Sequence, residues 1–518
     1  MKKIGLIILL TLSFLLLTNC NKDKKKETVA VEYENKNPKI KFSDDTYKLF
    51  EKFAENKKDI MQKLKTLNKD EANKLYEEYV EDNEDILYKI GQKSEKFLDS
   101  IYYGSEEEQF IEKDWNDTNK ILNKYDLELW DIGEGMVTIR ELPHLYYDIF
   151  KDYVTDDYKE YLKNWAKDDE ELYQADAGLC ITFEELGDRI TRWENFLNKF
   201  PNSKLKIKVI ALLNSYREDY ILGMDNTPTI DGGYDNVPIT IYEEAEKEFN
   251  RFMKKYPNSP TVELIRYFLK NYKNDNIYEL IRCKIIEKFE KDPFVDVLSE
   301  NLGKMMAIER NYEKYILKDK EWEVDIDNGY IYSDKEKYPI QIIGHSILNK
   351  DEGSTWVWAW KNSDVFSGDL LSLAYNVHGI GMDLKLCTFI NSKFKITDEI
   401  NENILSAIAC GISGENLAFD NIYYSLNSMV IYYAIKGLPN EVFSSVNLSE
   451  FVDITSSCTD KHTLNEKLFV ESFLKWNKTK YEWQGNKIIA DFGKDGELEI
   501  EFEKVGDNFR IKNINLNS

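Results

Sequence analysis

An eight-residue block occurs twice in this chain, 56 residues apart, and constrains the fold more than any other feature. Phe196-Leu197-Asn198-Lys199-Phe200-Pro201-Asn202-Ser203 recurs as Phe252-Met253-Lys254-Lys255-Tyr256-Pro257-Asn258-Ser259. The same shift carries Leu212 onto Phe268 and Tyr216 onto Tyr272. Upstream, Ile181-Thr182-Phe183-Glu184-Glu185 parallels Ile239-Thr240-Ile241-Tyr242-Glu243. Each holds a Thr-x-x-Glu pattern, in which hydroxyl and carboxylate satisfy free amides at a helix start. Proline stops the first helix of each unit, and Asn or Ser caps the next. A capped helix, a Pro-Asn-Ser turn and a second helix are therefore expected twice. Stacked hairpins of this kind commonly build concave binding surfaces.

These units resemble the helical hairpins of tetratricopeptide-type proteins, particularly envelope versions with a Tyr-Pro-x-Ser turn, over roughly residues 181–273. The full tetratricopeptide signature is absent. A loop from Gly223 to Pro238 lengthens the period. Its acids Asp225, Asp231 and Asp235 fit no standard calcium spacing, so the loop reads as a solvated turn. Helical patterning extends from Ser43 to about Lys314. Ser43 precedes an acidic first turn and the apolar spacing Tyr47, Phe50, Phe53, Ala54; Ser105 to Glu108 forms another capping box.

Around Glu321 the period changes. Trp322, Val324 and Ile326 alternate, Asp327-Asn328-Gly329 turns the chain, and Tyr330-Ile331-Tyr332 returns, which predicts a hairpin. Asp325, Asp327 and Glu336 mimic an EF-hand, but the glycine is at position 5 instead of 6 and strands flank the loop, so that reading is rejected. Ile340 to Ile343 and Thr355 to Trp360 read as strands, with Trp356, Trp358 and Trp360 on one face. Each indole buries about 150–250 Å², so a helix or a ligand must cover them, and the core reading is favoured. A helix from Asp398 to Cys410 ending at Gly411 and strands Ile422–Tyr424 and Met429–Ile435 follow. Leu464 to Trp476 reads as a helix, and three turn-separated strand regions to Ile514 close the chain, either extending the same sheet or forming a small domain. The Ile340-Gln341-Ile342-Ile343-Gly344 run, the Trp356-Val357-Trp358-Ala359-Trp360-Lys361-Asn362 strand, Ala407 to Gly411 and the Tyr423-Tyr424 pair are similar to a bacterial domain of unknown function. The resemblance covers residues 318–438, with His345 where that family usually has Ser, and it implies a fold but no activity.

The N-terminus supplies the address. Lys2 and Lys3 precede an apolar run from Ile4 to Leu17, too short to span a bilayer, and Leu17-Thr18-Asn19-Cys20 follows. This arrangement resembles the lipobox of bacterial lipoproteins, in which the cysteine thiol is acylated, although Asn19 replaces the usual small residue. Cys20 is therefore the expected lipid attachment, and residues 21–41 read as a polar tether.

Asp plus Glu total 94 against 69 Lys plus Arg, a net charge of −25; removing residues 1–19 takes it to −27. That balance repels phosphate backbones, so nucleic acid is not an expected partner. Among the five cysteines besides Cys20, Cys387 and Cys410 read as buried hydrophobes, and no C-x-x-C unit occurs. The four histidines, His144, His345, His378 and His462, show no metal spacing, and no nucleophile elbow or phosphate loop is present. No cofactor and no metal are expected.

The expected architecture is a multidomain α+β protein: an N-terminal all-α helical-hairpin region, then an α/β domain with a mainly antiparallel sheet. The divisions are residues 1–19 (signal peptide), 20–41 (tether), 42–316 (helical repeat), 317–440 (α/β domain) and 441–518 (helix plus β-meander). The expected function is an exported envelope lipoprotein, membrane-held by its lipid, that binds or scaffolds a protein partner. The candidate binding residues are Trp356, Trp358, Trp360, Asn362 and His345, with no catalytic set. The alternatives are an envelope hydrolase with His345 and His378 beside the tryptophan strand, and an immunity-type protein binding a basic toxin.

Overall fold

The computed structural model describes residues 42–103, 108–233, 237–347, 353–362, 366, 368–424, 429–506 and 508–517. Cys20, the signal segment, the tether, Asp235 and the Ser105 capping box lie outside the described residues.

The first half is built of helices with four short β-ribbons set among them. It contains α1 (Asp44–Lys63), α2 (Lys69–Tyr103), α3 (Glu108–Leu122), strands β1 (Leu127–Gly133) and β2 (Met136–Glu141), α4 (Leu145–Phe150) and α5 (Asp156–Asp168). After β3 (Gln174–Ala175) and β4 (Gly178–Leu179) come α6 (Phe183–Lys199) and α7 (Lys206–Leu222). Four two-residue strands follow as β5 (Gly223–Met224), β6 (Thr227–Pro228), β7 (Ile230–Asp231) and β8 (Thr240–Ile241), then α8 (Glu243–Lys255), α9 (Thr261–Asn271) and α10 (Ile277–Phe289). The cap expected at Ser43 is present: its hydroxyl accepts from the Thr46 amide at 3.1 Å.

The two repeat units turn bond for bond. The Phe200 amide donates to Phe196 O and the Tyr256 amide to Phe252 O; Ser203 N donates to Phe200 O and Ser259 N to Tyr256 O. Ser203 and Ser259 then each accept, through the side chain, the amide two residues on, both at 3.1 Å. Pro201 and Pro257 lack the donor that would continue the first helix, and the serine closes the turn instead. The helix starts differ. Thr182 caps α6 by accepting from the Glu185 amide, whereas Thr240 is drawn into the β7–β8 ribbon and α8 begins after Tyr242 with no side-chain cap among the described residues.

The second half comprises α11 (Phe294–Tyr312), β9 (Glu323–Asp325), β10 (Tyr330–Tyr332), β11 (Lys337–Ile347), β12 (Thr355–Trp358), α12 (Gly368–Leu384), the single turn α13 (Cys387–Ile390), β13 (Lys393–Lys395), α14 (Glu402–Ile412), β14 (Ala418–Tyr424) and β15 (Met429–Ile435). It ends with α15 (Leu448–Lys461), α16 (Glu466–Trp476) and the meander β16 (Lys480–Gln484), β17 (Lys487–Asp491), β18 (Glu497–Val505), β19 (Asn508–Asn517). The long β11 pairs antiparallel with β10, β12 and β15, and the sheet continues through β13, β9 and β14 to seven strands. The expected β9–β10 hairpin is present, with Ile331 opposite Val324 and Gly329 at φ 75° in its turn. Helix α14 runs one residue past Gly411, to Ile412, and the bare Cα of Gly411 serves packing: a Cβ there would sit 2.8 Å from the Asn301 side chain of α11.

Two apolar cores result, one drawn from residues 42–285 and one from residues 297–502. The second core begins earlier than residue 317. Leu298, Leu302, Met305 and Ile308 of α11 belong to it, so the helix is the centre of the second half and not the last helix of the first. Residues 441–518 add a separate four-stranded sheet, not an extension of the first, yet Phe451, Phe473, Ile488 and Leu498 join the same core. Among the described residues no helix is long and apolar enough to cross a membrane.

Candidate functional site

Strand β12 places Trp356 and Trp358 on one face, as alternation requires, and that face is closed. Both side chains are 0% exposed. Trp356 packs edge-on to Trp358 at 5.3 Å and against Tyr432 at 5.5 Å, while Trp358 lies 4.6 Å from the Phe389 ring. The Trp358 indole donates to Thr388 O at 2.8 Å. Protein covers these two tryptophans and leaves no surface for a ligand. Trp360 departs from the strand: residues Ala359–Asn362 form a 3-10 turn, and its ring lies tilted at 31° against His378 of α12 with centroids 4.1 Å apart. Asn362 ends that turn, and its side chain lies outside the described residues.

His345 and His378 do not meet. Gln341 of β11 accepts from the Leu373 amide of α12, and it shares its sheet face with Tyr432 and the paired tryptophans. His345 is opposite Val357 and Ile431, so it points to the other face. It is 7% exposed, its Nδ1 has no hydrogen-bond partner among the described residues, and burial pushes its pKa down, which favours the neutral ring. His378 Nδ1 is within 3.1 Å of Phe389 O on the helix-covered face. The pair of histidines that motivated a hydrolase is divided by the sheet. Among the described residues, no three His, Cys, Asp or Glu side chains are grouped to hold a metal ion.

Open, polar surface lies elsewhere: beside the β9–β10 hairpin, in a cleft of about 1170 Å³ between Asp319–Glu323 and Tyr332–Glu336, and on the helical half, where a seam of buried charges fixes the helix register. Asp168 at the end of α5 accepts from Arg192 at 2.7 Å, from the Trp193 indole at 2.7 Å and from the Tyr216 hydroxyl at 3.3 Å. One layer on, Arg217 of α7 donates to Glu194 of α6 at 3.0 Å and to Thr261 of α9 at 3.0 Å. In the next, Glu248 of α8 accepts from Tyr220 at 2.8 Å and from Arg251, which also reaches Asp188 at 3.1 Å. Isolated buried charges are costly, so each layer holds only where its partner helix sits in this one register.

A cleft of about 460 Å³ opens beside the first of these layers, between α4, α5 and α6. Glu160, Lys163, Asn164 and Lys167 enter it from one stripe of α5, while Tyr147 and Arg192 face them. Most of the charges are spoken for. Arg192 is held by Asp168 and Glu185, Lys167 by Glu170, and Glu160 by Lys199 at 3.4 Å. Two groups are not. Among the described residues, the Asn164 amide makes no protein hydrogen bond and opens onto the cleft, although only 6% of the whole residue is exposed, and Lys163 has no ion-pair partner. A second cleft, about 880 Å³, lies at the starts of α6 and α8 beneath the β5–β6 ribbon, with the exposed thiol of Cys180 in its wall.

Comparison with known proteins gives one finding. Residues 295–438, which hold the central helix α11 and the seven-stranded sheet, match a family of unknown function, DUF6882. The chain therefore carries a DUF6882 domain, whose first residues fall within α11 and not after it. No curated protein and no solved structure matches the chain. Asn164 and Lys163 were not singled out from the sequence. A polar residue on the apolar side of an amphipathic helix was the available signal.

Proposed function

We propose that this protein is an exported lipoprotein, held at an envelope membrane by acyl chains on Cys20, that binds a protein partner through its helical half. The likeness of its hairpins to tetratricopeptide-type units supports that reading, as do the open clefts along them. The observation that carries it is the cleft between α4, α5 and α6, onto which the Asn164 amide opens without a protein partner among the described residues. Such an amide can exchange its water for a group on the partner, a net gain of about 0.5–1.5 kcal/mol per hydrogen bond. With Lys163 one residue away and unpaired, the cleft suits a carboxylate or amide side chain presented by the partner.

A photoreactive amino acid placed at Lys163 in the full-length, membrane-held protein tests this. The expected result is a discrete cross-linked adduct whose yield falls when Asn164 is replaced by Leu. A protein that gives no adduct from the cleft and remains monomeric across detergents and salts would refute it.

A further inference from the structure

Cys283 on α10 and Cys387 on α13 are 104 residues apart in sequence and touch where the two cores join. Each sulfur reaches the other's backbone carbonyl: Cys283 Sγ lies 3.6 Å from Cys387 O, and Cys387 Sγ lies 3.7 Å from Cys283 O. This reciprocal arrangement sets the two thiols side by side. The Cys283 thiol, ahead of burial, pushes the Cys387 thiol far above its ordinary range. Ile286 and Ile390 enclose the pair in a small apolar cluster of its own. The remaining described cysteines are placed differently, Cys410 and Cys458 inside the second core and Cys180 at the surface. Both members of the pair are thiols in the structure.

We propose that Cys283 and Cys387 are oxidised to a disulfide in the exported protein, covalently tying the helical half to the DUF6882 domain. The oxidant is a disulfide of the exchange type, carried by an oxidoreductase or by oxidised glutathione. One thiolate attacks it to form a mixed disulfide and release one thiol; the second thiolate then displaces the other thiol. Two protons and two electrons leave with the reduced carrier. Because the thiolate is the nucleophile and the folded site keeps Cys387 protonated, exchange belongs to a chain whose interface has not yet closed. From the functional reading above, this takes only the export, since cytosolic surroundings keep such thiols reduced.

Full-length protein from cells fed labelled fatty acid tests it. The protein is quenched in acid, alkylated in denaturant without reductant, digested and mapped by mass spectrometry. Cys180, Cys410 and Cys458 are expected to carry the alkyl group. The peptides of Cys283 and Cys387 are expected as one linked species, two hydrogens lighter than their sum and separated by reductant. Cys387→Ala should leave Cys283 alkylated with fatty-acid label unchanged. Labelled protein with both Cys283 and Cys387 alkylated would overturn the proposal. Unlabelled protein with both thiols free would count against the export reading instead. Refolding the full chain in reduced and oxidised glutathione then decides the pair: a link upholds the proposal, and its absence overturns it.

Discussion

Replacing Arg217 with Met strips the helical repeat of a cation on which three helices converge. Arg217 is 1% exposed, its guanidinium donates to Glu194, Asn214 and Thr261, and it lies 3.5 Å over the Phe289 ring. Methionine keeps much of the volume but leaves Glu194, itself 6% exposed, without its counter-charge. Breaking a buried pair in this way costs about 3–5 kcal/mol. The Thr261 hydroxyl still donates to Glu194 at 2.7 Å, which points to the lower end, about 3 kcal/mol. At roughly 1.4 kcal/mol per tenfold, opening of α6, α7 and α9 should rise about a hundredfold, read as faster amide exchange by mass spectrometry. Replacing both partners, Arg217→Met with Glu194→Leu, removes the stranded charge and should restore most of the protection. A single variant that exchanges within about threefold of the parent would refute the reasoning, as would a double variant no better protected than the single.

The other predictions concern acid, packing and the anchor. Burial raises the Asp219 carboxyl to about 6 against Tyr173, so between pH 4 and 6 the folded state binds more protons than the unfolded and stability falls as pH rises. Asp219→Asn should flatten that slope and stabilise the helical half above pH 6, by up to about 3 kcal/mol less the relief of partial exposure, in urea unfolding at stepped pH. Gly303→Ala would put a Cβ 2.7 Å from Cγ of the buried Phe473, so a loss of about 1–3 kcal/mol is expected in thermal unfolding of the second half. Cys20→Ser should abolish incorporation of labelled fatty acid while leaving export and the circular dichroism of the folded region unchanged; label retained in the variant would end the lipoprotein reading.

Local chemistry was legible where one residue decides the backbone. The Ser43 cap, the Pro-Asn-Ser turns and the Asn328-Gly329 hairpin are each fixed by a hydroxyl, a missing amide donor or a positive φ, and each stands where the pattern put it. The β1–β2 ribbon went unread amid helical patterning, although Gly133, Glu134 and Gly135 form a turn with φ of 87°, 51° and 77°. Alternation placed Trp356 and Trp358 correctly on one face but could not say that α12 and α13 close over them, because α12 is apolar on most sides and shows little helical stripe. The cleft around Asn164 depends on three helices from separate stretches of chain, and a single amide on α5 gives no sign of which groups end up opposite it.

Helix α11 carries a consequence for how the family segment can be inherited. The matched region stops at residue 438, yet α11 has spent the bare surface at Gly303 on Phe473 of α16, and the Asn465 amide donates to Ser299 at 2.9 Å. Excised at its own limits, the segment would expose the side of α11 that α15 and α16 now shield, an oily face of the kind that drives self-association. In this chain the family region and the meander behind it are therefore co-dependent partners in one fold. Any relative that keeps the first and lacks the second must dress that helix with something else, and position 303 is where the change of clothing should first be visible.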